Sequence, residues 1–579
     1  MRNKEIAQIF NNIADLLEIN DENPFRIRAY RRGAFSLETL SCNLDTLVKE
    51  GRLTEITGIG QDLSDKITEY YISGEIKYYK DIIQKVPQDL IVMMKIPGIG
   101  PKTVKMLYQK LNISSIAKLE EMAKAGKLQS LPGLKEKTEQ NIIKGIEFFK
   151  KGSEKIPIGE ALPLAEEIMA ELKKIEGVNN ISCAGSLRRM KETVGDIDIL
   201  VASGVPDKVM KAFGRLTVVK KIIAQGPTKA SVVTKNNIQV DLRVVNSDFF
   251  GAALQYFTGS KNHNVHLRAL SQRKGLKVNE YGVFQEKTGK KISGGIEQDV
   301  YKVLGMDWIP PEIREDSGEI DAAVNGKLPN LIEVKDIKGD LHIHSNWSDG
   351  VHALDEIIDI AHKRGYKYIA ITDHSKSLGI AGGLDESKVL EQIKKIKKIE
   401  RKYKNFHILC GIEADIQTDG TLDLDKKVLE KLDIVLGAIH VGLKQDKEKI
   451  TARIVCAIET GLVDIIAHPT GRLMGSRSGY EINWDRLFEV AKKYKTALEI
   501  NSHYLRLDLT DINVRRAKEE GVLISINTDT HFQDQFNMIK YGVSVAKRGW
   551  LGKNDVINAW PYHKLVKFLK SRKDRLAVL

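Results

Sequence analysis

CAGSLRRMKETVGDIDILVAS, residues 183–203, is the stretch that decides the first half of the chain. A Gly-Ser turn and two arginines precede an apolar run carrying Asp196 and Asp198. Residues i and i+2 of a strand share a face, so both carboxylates point the same way while Ile197, Ile199 and Val201 point into a core. Two like charges side by side are costly unless a cation neutralises them, and carboxylates with open positions suit magnesium. A third acid at strand register, Asp241 in IQVDLRVV (238–245), completes a two-metal site for phosphoryl transfer. Ser186 and Arg189 then stand where they hold a triphosphate, Arg189 as a charge clamp. The alternative is an exposed edge strand with solvated acids.

Upstream lie three short turns: ITGIGQDLSDKI (56–67), IPGIGPKTVKML (96–107) and LPGLKEKTEQNI (131–142). Apolar residues at helical spacing predict helices over 4–20, 34–50, 61–72 and 102–112 around them. Such a turn presents backbone N–H groups at a helix N-terminus and holds a phosphate without reading a base. A single glycine turn is only a turn; the repetition points to the DNA backbone.

Length and charge agree. The chain has 579 residues, 42% hydrophobic and 29% charged, with net charge +13, which predicts three to five globular domains. Residues 101–150, 201–300 and 540–579 net +5, +9 and +8. Such patches fit a polyanion partner, although lysine-rich helices that are merely soluble give the same sum. No apolar run reaches membrane-spanning length, the N-terminus MRNKEIAQIF lacks the apolar stretch of a signal peptide, and four scattered cysteines form no CxxC pair. A reducing cytoplasm and no membrane partner are the expectation.

GSLRR…GDIDIL, VDLRV and LQYFTGSKNHNVHLRALSQRKG (254–275) together resemble the family X DNA polymerases, from residue 1 to about 315. The resemblance implies that Asp196, Asp198 and Asp241 bind two Mg2+. Ser186, Arg189 and Gly195 would contact the triphosphate, and Tyr256, Phe257 and Gly259 would line the sugar and base pocket. Asn264 and Arg268 would reach the minor groove of the nascent pair. Gly58, Gly60, Gly98 and Gly100 would carry DNA-backbone contacts. Turn carbonyls of Thr54, Ile56 and Ile59, and of Met94, Ile96 and Ile99, would hold Na+ or K+. In FRIRAYRRGAFSL (25–37), Arg26 and Tyr30 would be phosphate and hydroxyl contacts. Lys66 matches the Schiff-base lysine of the family's deoxyribose-phosphate lyase domain. Asp62 stands where lyase-active relatives have a lysine, and an acid there raises the lysine pKa; Lys66 as a plain surface lysine stays open. Lys261 and His263 replace nucleotide-contacting residues of better-known members.

Histidine is absent from the first 262 residues, and eleven of the 13 lie after residue 340. From residue 338, apolar strands alternate with helix-like segments and end in polar residues, the pattern of a parallel barrel whose site collects at the C-terminal strand ends. His342, His344, Asp349, His374, Glu413, His440, His468, Asp529 and His531 fall there. Imidazole and carboxylate without thiolate suit zinc, manganese or iron, and nine ligands fit two or three ions. His352, His362 and His407 read as non-ligands, and His503 as a marginal neighbour. These motifs resemble the polymerase and histidinol phosphatase (PHP) family, which implies metal-assisted phosphate-ester hydrolysis with Zn2+ or Mn2+. Arg472, Arg477 and Arg506 would orient the substrate phosphate.

The expected fold is multidomain. Helical helix-hairpin-helix modules span 1–82 (lyase-like) and 83–153. An α+β nucleotidyltransferase palm spans 154–247, and a thumb-like subdomain for the nascent pair spans 248–315. A linker covers 316–337, and an α/β PHP barrel, a distorted (β/α)7, covers 338–579. The expected function is gap filling on primer-template DNA with dNTPs in base excision repair, by a monomer. A PHP 3′–5′ exonuclease would accompany it, extending to abasic-site cleavage and 3′-end processing. The alternatives are a histidinol-phosphatase-type small-molecule phosphatase and a DNA-binding scaffold with an inert polymerase. The 540–579 charge excess is expected to guide a 3′ end toward the nuclease.

Overall fold

A computed structural model describes residues 2–571, apart from 20–21, 39–43, 50, 57, 84–87, 95, 97–98 and 154. It contains two compact units, one of residues 1–153 with 473–478 and the other of 154–472 with 479–579.

The first unit is helical. Helices Arg2–Ile19, Gln61–Ser73 and Pro101–Leu111 lie where periodicity predicts them. The expected helix over 34–50 is instead the end of Pro24–Glu38 and a separate Leu44–Lys49. Pro24 opens its helix, where its missing N–H costs nothing. The three turns share one hydrogen bond: Ile59 N donates to Ile56 O, Ile99 N to Ile96 O and Leu134 N to Leu131 O. Gly60 and Gly100 are extended N-caps of the following helices. The apolar turn residues Ile56, Ile59, Ile96, Ile99, Leu131 and Leu134 are buried, so each turn is anchored in the core, while Gly60, Gly100 and Gly133 are exposed.

The second unit begins with a five-stranded mixed sheet ordered Val178–Cys183, Ile197–Ser203, Gln239–Val245, Lys229–Thr234, Val219–Gln225. Its two central strands are parallel. Helix Ile158–Lys173 covers it with Ile158, Ala161, Leu164, Ala165, Ile168 and Leu172, a single apolar face at helical spacing. Two helices, Phe250–Thr258 and Lys261–Arg273, and a small three-stranded sheet follow. Residues 316–337, expected as a linker, are built into the fold. Glu319 is buried, Ile320 and Ala323 join the core around Tyr301, and Ile332 N bonds Leu551 O. This stretch is ordered by these partners rather than by a repeat.

The C-terminal part is a seven-stranded parallel sheet in sequential order: Gly339–Ile343, Tyr368–Ile371, His407–Asp415, Ile434–Ala438, Ile465–Ile466, Ala497–Asn501 and Ile524–Asn527. It closes by a bridge between Ile343 and Thr530, with His344 N donating to Thr530 O at 2.8 Å. Period-2 alternation sends Ile408, Cys410, Ile412 and Ala414 to the covering helices and Leu409 to the inner core. The last helix, Tyr562–Lys570, packs Leu565, Phe568 and Leu569 against that inner core, and Tyr562 stacks on His407 at 3.6 Å. His407 starts its strand, so this helix sits at the N-terminal end of the barrel. The expectation that its lysines steer DNA to the ligand cluster is therefore corrected, because that cluster is at the opposite end. Among the described residues, no helix is long and apolar enough to cross a membrane.

Candidate active sites

Asp198 and Asp241 are direct cross-strand neighbours on the two central palm strands, and Asp196 stands two residues earlier. Burial, then the charges of Asp196 and Asp241, push Asp198 up to about 6. Asp196 is raised too, by burial and Asp241. Gly185, at φ +60°, opens the short turn Gly185–Arg188; a Cβ there would lie 2.1 Å from Asp198 Oδ2, so glycine is required. A cavity of about 180 Å³ adjoins Asp198, Asp241, Lys229, Arg243 and Phe257.

Ser186 is on that turn and Gly195 is exposed just before Asp196. Arg188 instead forms a bidentate pair with Glu297 at 2.6 and 2.7 Å, which Arg314 also joins. Arg189 donates from Nε to Glu315 at 3.0 Å and from Nη1 to the Thr258 carbonyl. Tyr256 and Phe257 meet edge to face, with Arg243 over the Phe257 ring. Gly259 (φ +69°) brings its backbone beside Arg189. Asn264 and Arg268 are one turn apart on a helix. The Asn264 amide is turned inward, to Gln255 and the Tyr256 carbonyl, rather than outward. His263 is buried between Glu319 and the Tyr301 hydroxyl, so it supports the helix and does not line the pocket.

In the first unit Arg26 is exposed, but Tyr30 is buried, stacked on Tyr78 and edge-on to Phe10. The expectation of a surface hydroxyl contact at Tyr30 is corrected: the helix turns that ring into the core. Lys66 Nζ pairs with Asp62 Oδ1 at 2.5 Å and lies 5.3 Å from the Tyr78 ring centre. Gly58 has φ +90° and presses on Arg32, and Gly60 and Gly100 face open space. Gly98 lies outside the described residues. Thr54, Ile56, Ile59, Met94, Ile96 and Ile99 all sit in or before the turns, where the Ile56 and Ile96 carbonyls already accept a turn hydrogen bond.

The barrel collects its candidates more tightly. Among the described residues, the groups of three or more metal-type side chains with ligand atoms all within 4.8 Å are His344–Asp349–His374–His531, His342–His344–Asp529 and His374–Glu413–His440. His468 Nε2 bonds Glu413 Oε1 at 2.9 Å, which brings in the ninth residue. A register shift between Asp340 and Ile343 re-aims the first strand, a bulge of the kind that places site residues. His468 (φ +29°) and Asp529 (φ +55°) hold left-handed backbone, a strain that the surrounding fold imposes.

The donors suit cations. Glu413 Oε2 is 2.8 Å from His374 Nδ1, yet both atoms, with both ring nitrogens of His344 and Nε2 of His342, are buried without an aligned hydrogen bond. Burial and the imidazoles of His531 and His374 push His344 down to about 3, so its ring is neutral, the form a metal would need. Burial opposes charge on His374, but Glu413 and Asp349 lift it to about 10. Three positioning groups went unread in the sequence. Glu499 takes His342 Nδ1 at 2.8 Å and His468 N at 2.7 Å, leaving His342 Nε2 to face inward. Asp415 accepts from His440 N, and Asp373 ties Ser345 and Ser348 in the loop bearing Asp349. Asp415 is two residues past Glu413, so strand alternation was the available signal. His352 pairs with Glu356 and His503 bonds Leu505 N, outside the cluster.

Of the three expected phosphate arginines, Arg472 is committed elsewhere. It forms a bidentate pair with Glu192 of the palm at 2.6 and 3.1 Å, with its side chain only 14% exposed. The reason is a tight palm–barrel junction: Tyr504 presses on Gly159, where a Cβ would lie 2.2 Å from its ring.

Comparison with known proteins follows this architecture. Residues 1–76 match a helix-hairpin-helix domain, 90–147 a SAM-like helix-hairpin-helix tandem, 155–269 the DNA polymerase beta palm, 253–315 the DNA polymerase beta thumb, and 340–503 the PHP domain. The DNA polymerase/3′–5′ exonuclease PolX of Bacillus subtilis is 38% identical over 98% of this chain and 100% of its own length. The chain belongs to the family X DNA polymerases with a PHP domain. Within this family X chain, 45% of the length also aligns with DNA polymerase lambda of Rattus norvegicus at 26% identity, over 48% of that protein. A probable phosphatase of Caldanaerobacter subterraneus is 32% identical over 33% of the chain and 75% of its own length.

Proposed function

We propose that this family X polymerase fills short DNA gaps in base excision repair and trims 3′ ends with its PHP barrel. One observation carries the reading: the Asp198–Asp241 pair beside the Gly185 turn and the nine-residue barrel cluster lie in one compact unit. A polymerase and a nuclease that share a primer terminus gain from being joined.

Asp196, Asp198 and Asp241 would hold two Mg2+, and the barrel residues two or three Zn2+ or Mn2+. Bound divalent ions supply charge neutralisation at the phosphate and acidify an attacking hydroxyl or water. The chain's own residues do the rest. Asp241 stands at the strand position nearest Asp198, where it draws the proton from a primer 3′-hydroxyl. Ser186, Gly195 and Arg189 orient the triphosphate; Tyr256, Phe257 and Gly259 bound the sugar; Asn264 and Arg268 reach the nascent pair. The hairpin glycines Gly58, Gly60, Gly98 and Gly100, with Arg26, grip the DNA backbone, and the turn carbonyls carry a monovalent cation. In the barrel, Glu413 lies between His374 and His468, where it would help hold more than one ion.

Abasic-site cleavage and 3′-end repair extend the barrel chemistry to blocked termini. A lyase step requires the Lys66–Asp62 pair to open. Borohydride trapping on abasic DNA should therefore be weak in the wild type and stronger in Asp62→Lys. We propose domain limits of 1–82, 83–153, 154–247, 248–315 and 338–579, in a cytoplasmic monomer. Primer extension on gapped DNA tests the reading; no extension by wild type, or equal extension by Asp198→Ala, overturns it. The similarity to a probable phosphatase covers only 33% of this chain, and a phosphatase reading leaves the palm without a task.

A further inference from the structure

The palm–barrel junction reaches the triphosphate arginine. Arg548 belongs to helix Ile539–Arg548, which packs on the last barrel strand, and its side chain is only 3% exposed. Its Nη1 donates to the Arg189 carbonyl at 3.0 Å, the Glu312 carbonyl at 3.2 Å and Glu315 Oε1 at 3.1 Å, and its Nη2 donates to Asp511 at 2.6 Å. The same Glu315 Oε1 accepts from Arg189 Nε at 3.0 Å. One carboxylate oxygen is thus shared by two guanidinium groups, one from the polymerase core and one from the barrel. Lys191 waits 3.8 Å away, beside a cavity of about 420 Å³ that Glu315 and Arg548 both line.

We propose that Arg548 is a positioning residue for nucleotide binding, setting how readily Arg189 leaves Glu315 for the incoming triphosphate. One Arg189 N–H is spent on Glu315 and another on the Thr258 carbonyl, so a bidentate grip on phosphate through its Nε edge requires Arg189 to leave Glu315. Glu315 is half-buried, and a carboxylate left there with no cation loses stabilisation, so a second partner eases the release. Arg548 is that partner, already in place, and Lys191 completes the pairing. Removing Arg548 leaves Glu315 to Arg189 and the more distant Lys191, which strengthens the Arg189 contact that competes with the triphosphate. The backbone bond to the Arg189 carbonyl also fixes the turn from which that side chain projects.

The inference rests on Arg189 serving the triphosphate, so Arg189→Ala is measured alongside. If Arg189→Ala leaves the KM for dNTP unchanged, that parent reading fails and this one falls with it. The test is single-nucleotide insertion on gapped duplex DNA in steady state. Arg548→Ala should raise KM for dNTP about tenfold with kcat within about twofold. Arg548→Lys should recover most of the loss, because a cation again shares Glu315. Glu315→Gln should not raise KM, and in that background Arg548→Ala should have no further effect. Exonuclease rate should stay at the wild-type level in each variant, which also reports a folded barrel. An unchanged KM in Arg548→Ala would overturn the proposal. So would a double variant that keeps the full rise, or a parallel fall in exonuclease rate, since each marks a merely loosened junction.

Discussion

The palm and the barrel solve the same problem, holding divalent ions against a phosphate, in opposite ways. In the palm, three carboxylates come from two adjacent strands and stay half-buried beside an open cavity. In the barrel, nine candidate ligands come from or follow six of the seven strands, and several of their donor atoms are buried without an aligned partner. An open, all-oxygen site suits ions that arrive and leave with a nucleotide. A closed nitrogen-rich site suits ions that stay. The palm is thus completed by its substrate, whereas the barrel is completed by its metal.

That contrast can be broken one region at a time. The largest effect expected is on Asp198→Ala, which should lower primer extension by about a thousandfold while leaving 3′-end trimming near wild type. Loss of both would show that the two sites are not separate. Next is Glu297→Gln. Glu297 opposes its burial with Arg188 and Arg314 and is held down at about 2. A folded-state pKa below the ordinary value of 4.5 means a stabilisation that is full above about 4.5 and lost as pH falls toward 2. The variant strands the fully buried Arg314, so urea unfolding at pH 7 should show a loss of about 3 kcal/mol. At pH 3 the gap to wild type should narrow.

Third, Glu499→Gln should keep the barrel folded but weaken its metal affinity by about 10- to 100-fold, read by titration against a chelator, with dNTP incorporation unchanged. An unchanged affinity would mean that the His342 tautomer needs no carboxylate. Smallest is the triple neutralisation of Lys564, Lys567 and Lys570. That helix sits at the far end of the barrel, and Lys564 already lies 3.8 Å from the Trp560 ring centre. The exonuclease rate should therefore move less than about twofold; a large fall would put DNA where the structure puts core packing.

The sequence carried the ligands better than their supports. Asp196, Asp198 and Asp241 were legible because strand alternation makes two acids on one face conspicuous. The barrel nine were legible because histidine is so unevenly spread. Glu499 and Asp415 were passed over although the same alternation reaches them, because a single buried acid on an apolar strand has no partner visible in sequence. The partner of Glu499, His342, arrives from 157 residues away, and that of Asp415, His440, from the end of the neighbouring strand. Arg472 was misread for the same reason: its partner Glu192 is 280 residues away. Tyr30 was taken for a ligand contact from its place in a motif, but its helix turns that side chain inward. The 316–337 stretch lacks periodicity because it is held by contacts to two neighbours, not by a repeat of its own.

The central claim is that one chain holds two separable metal-dependent sites acting on the same 3′ end. The most direct measurement uses gapped duplex DNA labelled at the primer 3′ end, in manganese without dNTP, with wild type and His344→Ala compared. Wild type should release labelled mononucleotide, and His344→Ala should release it at less than about one-hundredth of that rate while still extending the primer once dNTP is added. Equal release by the two proteins, or loss of extension together with release, would contradict the account.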